Sequence, residues 1–210
     1  MAPLQAETGI IWLERAESTN HELRSRIDGL DNLSVIAARE QTAGRGQGDH
    51  SWFSSPGANL TFSMLLRFGE GWPVTLGSSD AEFVTRICTL AIHDYLLDRG
   101  IESRIKWPND IWVGERKICG ILIENSSMGG QLSWSIAGIG LNVNETSWPA
   151  ELPNPVSMRE LSGRTYDLEK ELASLAGRLC SRYEETSCPE GRSRMEKEFG
   201  ELVFRLPSKP

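Results

Sequence analysis

The sequence predicts an α+β fold in which helices cover one mixed or antiparallel β-sheet. Apolar residues alternate or cluster in seven short runs bounded by Gly, Pro, Asn or Ser, which is typical of strands. Several runs are joined by very short connections, which favours antiparallel neighbours. Two longer segments repeat apolar residues at helical spacing. With 210 residues, 39% of them hydrophobic, the chain is long enough to bury the core of one large domain.

The strand candidates follow one another from the start of the chain to its middle. They are Gly9–Arg15, Ser34–Glu40, Asn59–Arg67, Glu102–Trp107, Asp110–Val113, Lys117–Glu124 and Gln131–Asn144. The connections Gly114-Glu115-Arg116 and Gly129-Gly130 are short enough for hairpins, whereas parallel strands need long crossovers.

Capping boxes mark the expected helix starts, because a hydroxyl and a carboxylate three residues apart satisfy backbone donors reciprocally. The three pairs are Thr19 with Glu22, Ser79 with Glu82, and Ser157 with Glu160. The second pair opens a predicted helix over Ser79–Arg99, and Gly100 ends it.

A second helical stripe lies in the last third of the chain. It is made by Leu168, Leu172, Leu175, Leu179 and Tyr183. Cys188-Pro189 interrupts it before a shorter helical segment that is expected to end near Leu202.

Composition excludes several classes of function. The formal net charge is −7, so any anion must be bound by a local site and not by a basic surface for nucleic acid. The first ten residues lack the pattern of a leader peptide, and no segment is apolar enough to span a membrane, so a cytoplasmic protein is expected. The four widely spaced cysteines form no Cys-x-x-Cys pair and are interpreted as reduced.

Three segments have the composition of a ligand site. Gln41–Gly48, followed by Trp52, combines three glycines, an arginine and an exposed tryptophan, which suits phosphate oxygens and a nucleotide base but also an ordinary surface loop. Lys106–Asp110 turns the chain after a strand, and a hairpin would bring Asp110 close to Lys117. The two charges would then lie beside a substrate, or they would form an ordinary salt bridge across the hairpin. Ala137–Asn144 carries glycines that let a flat ligand lie against the backbone.

Six motifs in this order resemble the catalytic domain of biotin–protein ligases over roughly residues 10 to 205. They are Ser18-Thr19-Asn20, Gln41–Gly46 with Trp52, Ser55–Leu60, Lys106-Trp107-Pro108-Asn109-Asp110, Lys117–Leu122 and Gly138–Asn142. The resemblance implies a mixed β-sheet flanked by helices, like that of class II aminoacyl-tRNA synthetases and of biotin and lipoate ligases. It also implies that biotin is activated with ATP as biotinyl-adenylate and transferred to a lysine of an acceptor protein.

The same resemblance assigns roles to individual residues. It implies biotin binding by Ser18, Thr19, Asn20, Gln41, Gly44, Arg45, Lys117, Gly120, Gly138 and Gly140, where Gly120, Gly138 and Gly140 form a flat wall. It implies nucleotide binding by Arg45, Gln47, Trp52, Asn109, Lys117 and Asn142. The implied catalytic residues are Lys117, Arg45 and Asp110: the cations neutralise two anions that must meet, and Asp110 orients or deprotonates the acceptor lysine.

The implied small molecules are biotin, ATP and Mg²⁺ arriving with the nucleotide, with no metal site built from protein side chains. The implied partner is biotin carboxyl carrier protein, with a homodimer as an option and with no nucleic acid or membrane partner. Residues 1–210 are then expected to form one catalytic domain, without the helix-turn-helix and the C-terminal β-barrel of some relatives. Gln47 stands where many bacterial members have a second arginine.

Two rival functions stay open from the sequence. A lipoate–protein ligase or octanoyltransferase shares the fold but carries different signature segments. A non-catalytic biotin sensor would bind the ligand without transferring it. A nucleophilic hydrolase is disfavoured, because the chain has no Gly-x-Ser-x-Gly and no His-Glu-x-x-His segment.

Overall fold

The computed structural model describes residues 9–48 and 50–205. The expectations about the leader and about the end at Leu206–Pro210 lie outside these residues. The strands are β1 Ile10–Ala16, β2 Val35–Gln41, β3 Leu60–Arg67, β4 Arg104–Lys106, β5 Asp110–Val113, β6 Arg116–Met128, β7 Gln131–Leu141 and β8 Val203–Phe204. The helices are α1 Thr19–Ser25, α2 Glu82–Leu97, α3 Met158–Ser162, α4 Leu168–Glu185 and α5 Pro189–Leu202.

The strands form one mixed sheet in the order β1-β2-β3-β7-β6-β5-β4-β8. The pairs β1–β2 and β4–β8 are parallel, and the pairs between them are antiparallel. All seven predicted strands are confirmed, and so are both hairpins, whose turn glycines Gly114, Gly129 and Gly130 have positive φ. The sequence analysis missed β8, which has only two residues and therefore no measurable periodicity.

The two faces of the sheet are covered unequally. One face packs against α2 and α4 in a large core that includes Phe62 and Ile139. The opposite face carries only a small core, in which Leu23 of α1 contacts Ile36, Leu65 and Ile136. Since α1 is one helix of seven residues, the rest of this face is left free to form a cleft.

Two of the three predicted capping boxes are wrong. Helix α1 begins after Ser18 without a side-chain cap, so Thr19 is its first residue and not its cap, and the Thr19 hydroxyl contacts Gln41 and Ser63. Ser79 lies in a 3-10 turn that precedes α2, so that helix begins at Glu82. The Ser157 box is present and starts α3.

The other helix predictions are confirmed. The apolar stripes of α2 and α4 are buried, Gly100 has a φ of 73° after the end of α2, and Pro189 opens α5.

All four cysteines are free thiols, as expected. Burial raises the pKa of the Cys88 thiol to about 12. It also holds the pKa of Cys119 well above its ordinary value. Although Cys119 precedes a glycine of the cleft, it points into the large core and stays protonated at neutral pH. It is therefore unsuited to nucleophilic chemistry.

Candidate functional site

One cavity of about 280 Å³ opens on the side of the sheet that carries α1. Its size is at the lower end of the roughly 300–1,000 Å³ typical of small-molecule sites. Most of the residues assigned by the resemblance line it: Ser18, Thr19, Asn20, Gln41, Arg45, Gln47, Trp52, Asn109, Asp110, Lys117, Gly120, Gly138 and Gly140. Residues far apart in the sequence are thus brought together, as the ordered motifs predicted.

Uncharged polar groups make up one end of this cavity. The backbone N–H of Thr19 donates to Gln41 Oε1 at 2.8 Å, and Thr19 Oγ1 lies 3.2 Å from the same oxygen. Because a backbone N–H can only donate, this contact fixes which atom of the Gln41 amide faces Thr19. The Gln41 Nε2 group is left as a donor on the cavity side.

The Asn20 side chain explains one of the three glycines of the predicted flat wall. A Cβ added to Gly138 would lie 2.9 Å from Asn20 Cγ, so Gly138 makes room for this side chain and not directly for a ligand. Asn20 Nδ2 donates to the carbonyl of Leu122 at 3.4 Å. Asn20 is therefore held against the β6–β7 pair.

The other two glycines hold the indole of Trp52. A Cβ at Gly140 would lie 2.5 Å from Trp52 Nε1, and one at Gly120 would lie 2.8 Å from Trp52 Cζ3. Gly120 and Gly140 are directly paired across β6 and β7, so together they form a flat seat. The sequence predicts an exposed Trp52, but Trp52 Nε1 is buried and has no hydrogen-bond partner among the described residues.

The loop that carries Trp52 folds back on itself. Arg45 and Ser51 form an isolated β-bridge, and the Trp52 N–H donates to the Gly44 carbonyl at 2.9 Å. A Cβ at Gly44 would lie 2.6 Å from the Trp52 carbonyl oxygen. Gly44 therefore permits the close approach of the two limbs of the loop.

Replacing Gly140 with alanine should displace Trp52, because the new methyl group would overlap the indole. We expect trypsin to cleave after Arg45 faster in this variant than in the wild type, since the loop loses its seat. The control is Gly177→Ala on α4, where an added Cβ has no neighbour within 4 Å. Equal cleavage rates after Arg45 in all three proteins would show that the indole does not hold the loop.

Charged side chains make up the other end of the cavity. Lys117 Nζ lies 2.7 Å from Asp110 Oδ1, and Lys106 Nζ lies 3.7 Å from Asp110 Oδ2. The hairpin thus brings Asp110 and Lys117 together, as predicted, and the ion pair lines the cavity. Asn109 is buried, and its amide donates to the carbonyl of Ile121.

Arg45 does not join this cluster but pairs with a residue that the sequence analysis missed. Its guanidinium lies 2.6 Å from Glu124 Oε1, and Arg24 of α1 lies 2.9 Å from Glu124 Oε2. The Arg45 side chain is 54% exposed, and exposed ion pairs contribute only about 0–1 kcal/mol. Arg45 can therefore exchange this carboxylate for an anionic ligand at little cost.

Two of the assigned residues do not line the cavity. Gly44 lies at the base of the loop. Asn142 is buried behind Lys117, and its amide donates to the carbonyls of Val156, at 3.0 Å, and Lys117. Nucleotide binding by Asn142 stays a prediction, and its observed contacts hold the start of β6.

The cavity lining offers little to a permanently bound metal. Across residues 9–48 and 50–205, no three His, Cys, Asp or Glu side chains come together in a metal-binding group. Asp110 is the acidic residue of the lining, and lysines engage both of its oxygens. Within the same residues, no helix is long and apolar enough to cross a membrane.

Comparison with known proteins agrees with this geometry. The biotin–[acetyl-CoA-carboxylase] ligase of Paracoccus denitrificans is 35% identical over 172 residues, which cover 78% of this chain and 68% of that protein. The bifunctional ligase/repressor BirA of Escherichia coli is 34% identical over 128 residues, 60% of this chain. The match spans only 38% of the length of that relative.

A solved structure shows the same fold. The biotin protein ligase from Aquifex aeolicus, in complex with biotin and ATP, superposes with a TM-score of 0.76 at 24% identity, covering 93% of this chain and 78% of that one. The expected mixed sheet flanked by helices is thus confirmed. A sequence profile of the biotin/lipoate A/B protein ligase family matches residues 12–142. The chain therefore belongs to the biotin/lipoate A/B protein ligase family.

Proposed function

We propose that this chain activates biotin with ATP and transfers the biotinyl group to a lysine of a biotin carboxyl carrier protein. One observation carries the proposal: a single cavity joins an uncharged polar end at Thr19 and Gln41 to a cationic end at Lys106 and Lys117. Biotin has a neutral ureido head and an anionic carboxylate. Its two ends match the two ends of the cavity.

The hydrogen bonding at the polar end supports a ureido ligand. Gln41 Nε2 is free to donate to the ureido oxygen, because its Oε1 is already engaged by Thr19. Hydroxyl lone pairs at Thr19 can accept from a ureido N–H. A dithiolane ring of the lipoate type has no N–H to offer, so these residues favour biotin over lipoate.

In the first half-reaction, a carboxylate oxygen of biotin attacks the α-phosphorus of ATP. A new P–O bond forms to biotin, and the bond to the departing pyrophosphate breaks. Both reactants are anions, so fixed cations must reduce their repulsion. Lys117 lies in the cavity for this role, and Arg45 can join it by leaving Glu124.

Mg²⁺ is expected to arrive with the nucleotide and to screen the triphosphate. Both oxygens of Asp110 face lysines, so this carboxylate is poorly placed to bind a metal by itself. The cavity therefore fits an ion whose ligands are mainly phosphate oxygens of the nucleotide.

In the second half-reaction, the acceptor lysine nitrogen attacks the acyl carbon of the adenylate. An amide bond forms, AMP leaves, and the lysine loses its proton. Asp110 is the carboxylate that lines the cationic end of the cavity. It is our candidate for holding the ammonium of the acceptor lysine and for taking its proton.

Trp52 has to move during this cycle. Its indole lies on Gly120 and Gly140, where the resemblance places the flank of biotin. In the proposed complex it would leave this seat and border the nucleotide, as the resemblance implies.

The proposal is tested by biotin-dependent exchange of labelled pyrophosphate into ATP, followed by transfer of label from biotin to a carrier domain. We expect both reactions with biotin and neither with lipoate. Biotin binding without exchange would identify a sensor. Exchange that depends on lipoate would place the chain among the lipoate ligases.

A further inference from the structure

Ser63 lies beneath the polar end of the cavity and is fully buried on β3. Its hydroxyl oxygen is 2.6 Å from Asn20 Oδ1 and 2.7 Å from Thr19 Oγ1. Among the described residues, the Ser63 hydroxyl is therefore hydrogen-bonded only to two members of the expected biotin site, Thr19 and Asn20. Ser63 stands outside the motifs that identified this site.

The directions of these hydrogen bonds follow from counting protons. Asn20 Oδ1 can only accept, because Asn20 Nδ2 is used toward Leu122, so the single proton of Ser63 goes to Asn20. The short contact to Thr19 is then satisfied when Thr19 donates to Ser63. Thr19 Oγ1 also lies 3.2 Å from Gln41 Oε1, but that oxygen already accepts the Thr19 N–H. If Thr19 donated to Gln41, no proton would be left between Thr19 and Ser63, which are 2.7 Å apart. The Thr19 proton is therefore directed toward Ser63, and lone pairs of Thr19 remain for a ligand.

We propose that Ser63 is a positioning residue that gives the pocket its specificity for a ureido group. It does so by making Thr19 an acceptor toward the ligand, while Gln41 remains a donor. This inference rests on the proposed function. Without the Ser63 hydroxyl, the Thr19 hydroxyl would keep only the longer contact to Gln41 Oε1, at 3.2 Å. Its proton could then also turn toward the ligand, and the requirement for an N–H on the ligand would weaken.

Ser63→Ala should raise the KM for biotin in pyrophosphate exchange by about 10- to 100-fold, the size expected when a buried hydrogen-bond network is broken. The kcat at saturating biotin should change by less than about threefold, because the Ser63 hydroxyl contacts the polar end of the cavity, at Thr19 and Asn20, and not the lysines expected to neutralise the reacting anions. Discrimination between biotin and biotin methylated on a ureido nitrogen should also fall. A merely structural residue would not change this ratio.

Thr61→Val provides a matched control. Thr61 lies two residues earlier on β3, on the same face, is also buried, and donates to the carbonyl of Ala38 at 2.8 Å. This variant loses a buried hydroxyl that, among the described residues, makes no hydrogen bond to Thr19 or Asn20. We expect its KM and its discrimination ratio to equal those of the wild type.

An unchanged KM or discrimination ratio in Ser63→Ala, or equal changes in Thr61→Val, would overturn the inference. If Ser63→Ala fails to fold, Ser63→Cys replaces it, because a thiol fills the site left by the hydroxyl but is a weak donor. The same loss of discrimination is then expected, and its absence would count against Ser63. If the wild type shows no biotin-dependent exchange, the proposed function fails instead, so the two failures are distinct.

Discussion

Lys117→Ala should abolish biotinyl-adenylate formation while the protein remains folded. The Lys117 ammonium lies in the cationic end of the cavity, 5.5 Å from the centre of the Trp52 ring and 2.7 Å from Asp110 Oδ1. In the proposed reaction, the biotin carboxylate and the α-phosphate of ATP meet at this end, and their charge repulsion must be reduced there. Removing one preorganised group that stabilises developing charge costs about 10²- to 10³-fold in rate, and losing a full cation at this point should exceed that.

The fold should survive because the backbone at Lys117 is held independently of its side chain. The Lys117 N–H donates to the carbonyl of Asn154 at 2.7 Å, and its carbonyl accepts from Val156 at 3.0 Å. The Asp110 carboxylate would keep Lys106 as a partner.

The measurements are biotin-dependent pyrophosphate exchange and thermal unfolding. Lys170→Ala is the control, since Lys170 is 83% exposed on α4 and lies outside the cavity lining. Near-normal exchange in folded Lys117→Ala would remove this residue from the catalytic role.

Asp110→Asn should separate the two half-reactions. Adenylation uses a carboxylate that is already anionic at neutral pH, so it needs cations and no protein base. The acceptor lysine has a pKa of about 10.4 in water, so only a small fraction is neutral at pH 7. A general base typically contributes about 10²- to 10⁴-fold, and transfer from preformed adenylate should slow by this factor.

Raising the pH should partly rescue transfer in this variant, because the neutral fraction of the acceptor lysine grows toward its pKa. Asparagine keeps the size of the side chain, so pyrophosphate exchange should be largely retained. Asp98→Asn is the control, because Asp98 pairs with Arg178 away from the cavity. If exchange and transfer fall equally in Asp110→Asn, the ion pair with Lys117 serves structure or nucleotide binding.

Local patterns in the sequence were enough to predict most of the secondary structure. The alternation in Leu60–Arg67 and the stripe along α4 reflect which residues face a core, and both recur over several residues. The two wrong capping boxes show the limit of such signals. Thr19 has the right spacing from Glu22, yet its hydroxyl contacts Gln41 and Ser63, which are 22 and 44 residues away.

The order of the motifs located the cleft but not the contacts within it. Both Ser63 and Glu124 left weak signals: Ser63 is a polar residue within a buried strand, and Glu124 shares a strand face with Gly120. Neither signal identifies the residue that Ser63 or Glu124 contacts. A pattern in one strand cannot reveal that a guanidinium 79 residues earlier will meet that carboxylate.

By itself, the sequence determined the main helices and every strand except β8. Through the family resemblance it also determined the mixed sheet and most of the polar and glycine residues that meet at one cleft. The elements follow from periodicity, and the cleft residues follow from the resemblance, which was carried by short motifs. Both kinds of signal depend on neighbours along the chain. Only the tertiary structure decided that Trp52 lies on Gly120 and Gly140, that Arg45 pairs with Glu124, and that Ser63 holds Thr19 and Asn20. The physical reason is that such contacts depend on packing distances and on proton counts between strands remote in sequence.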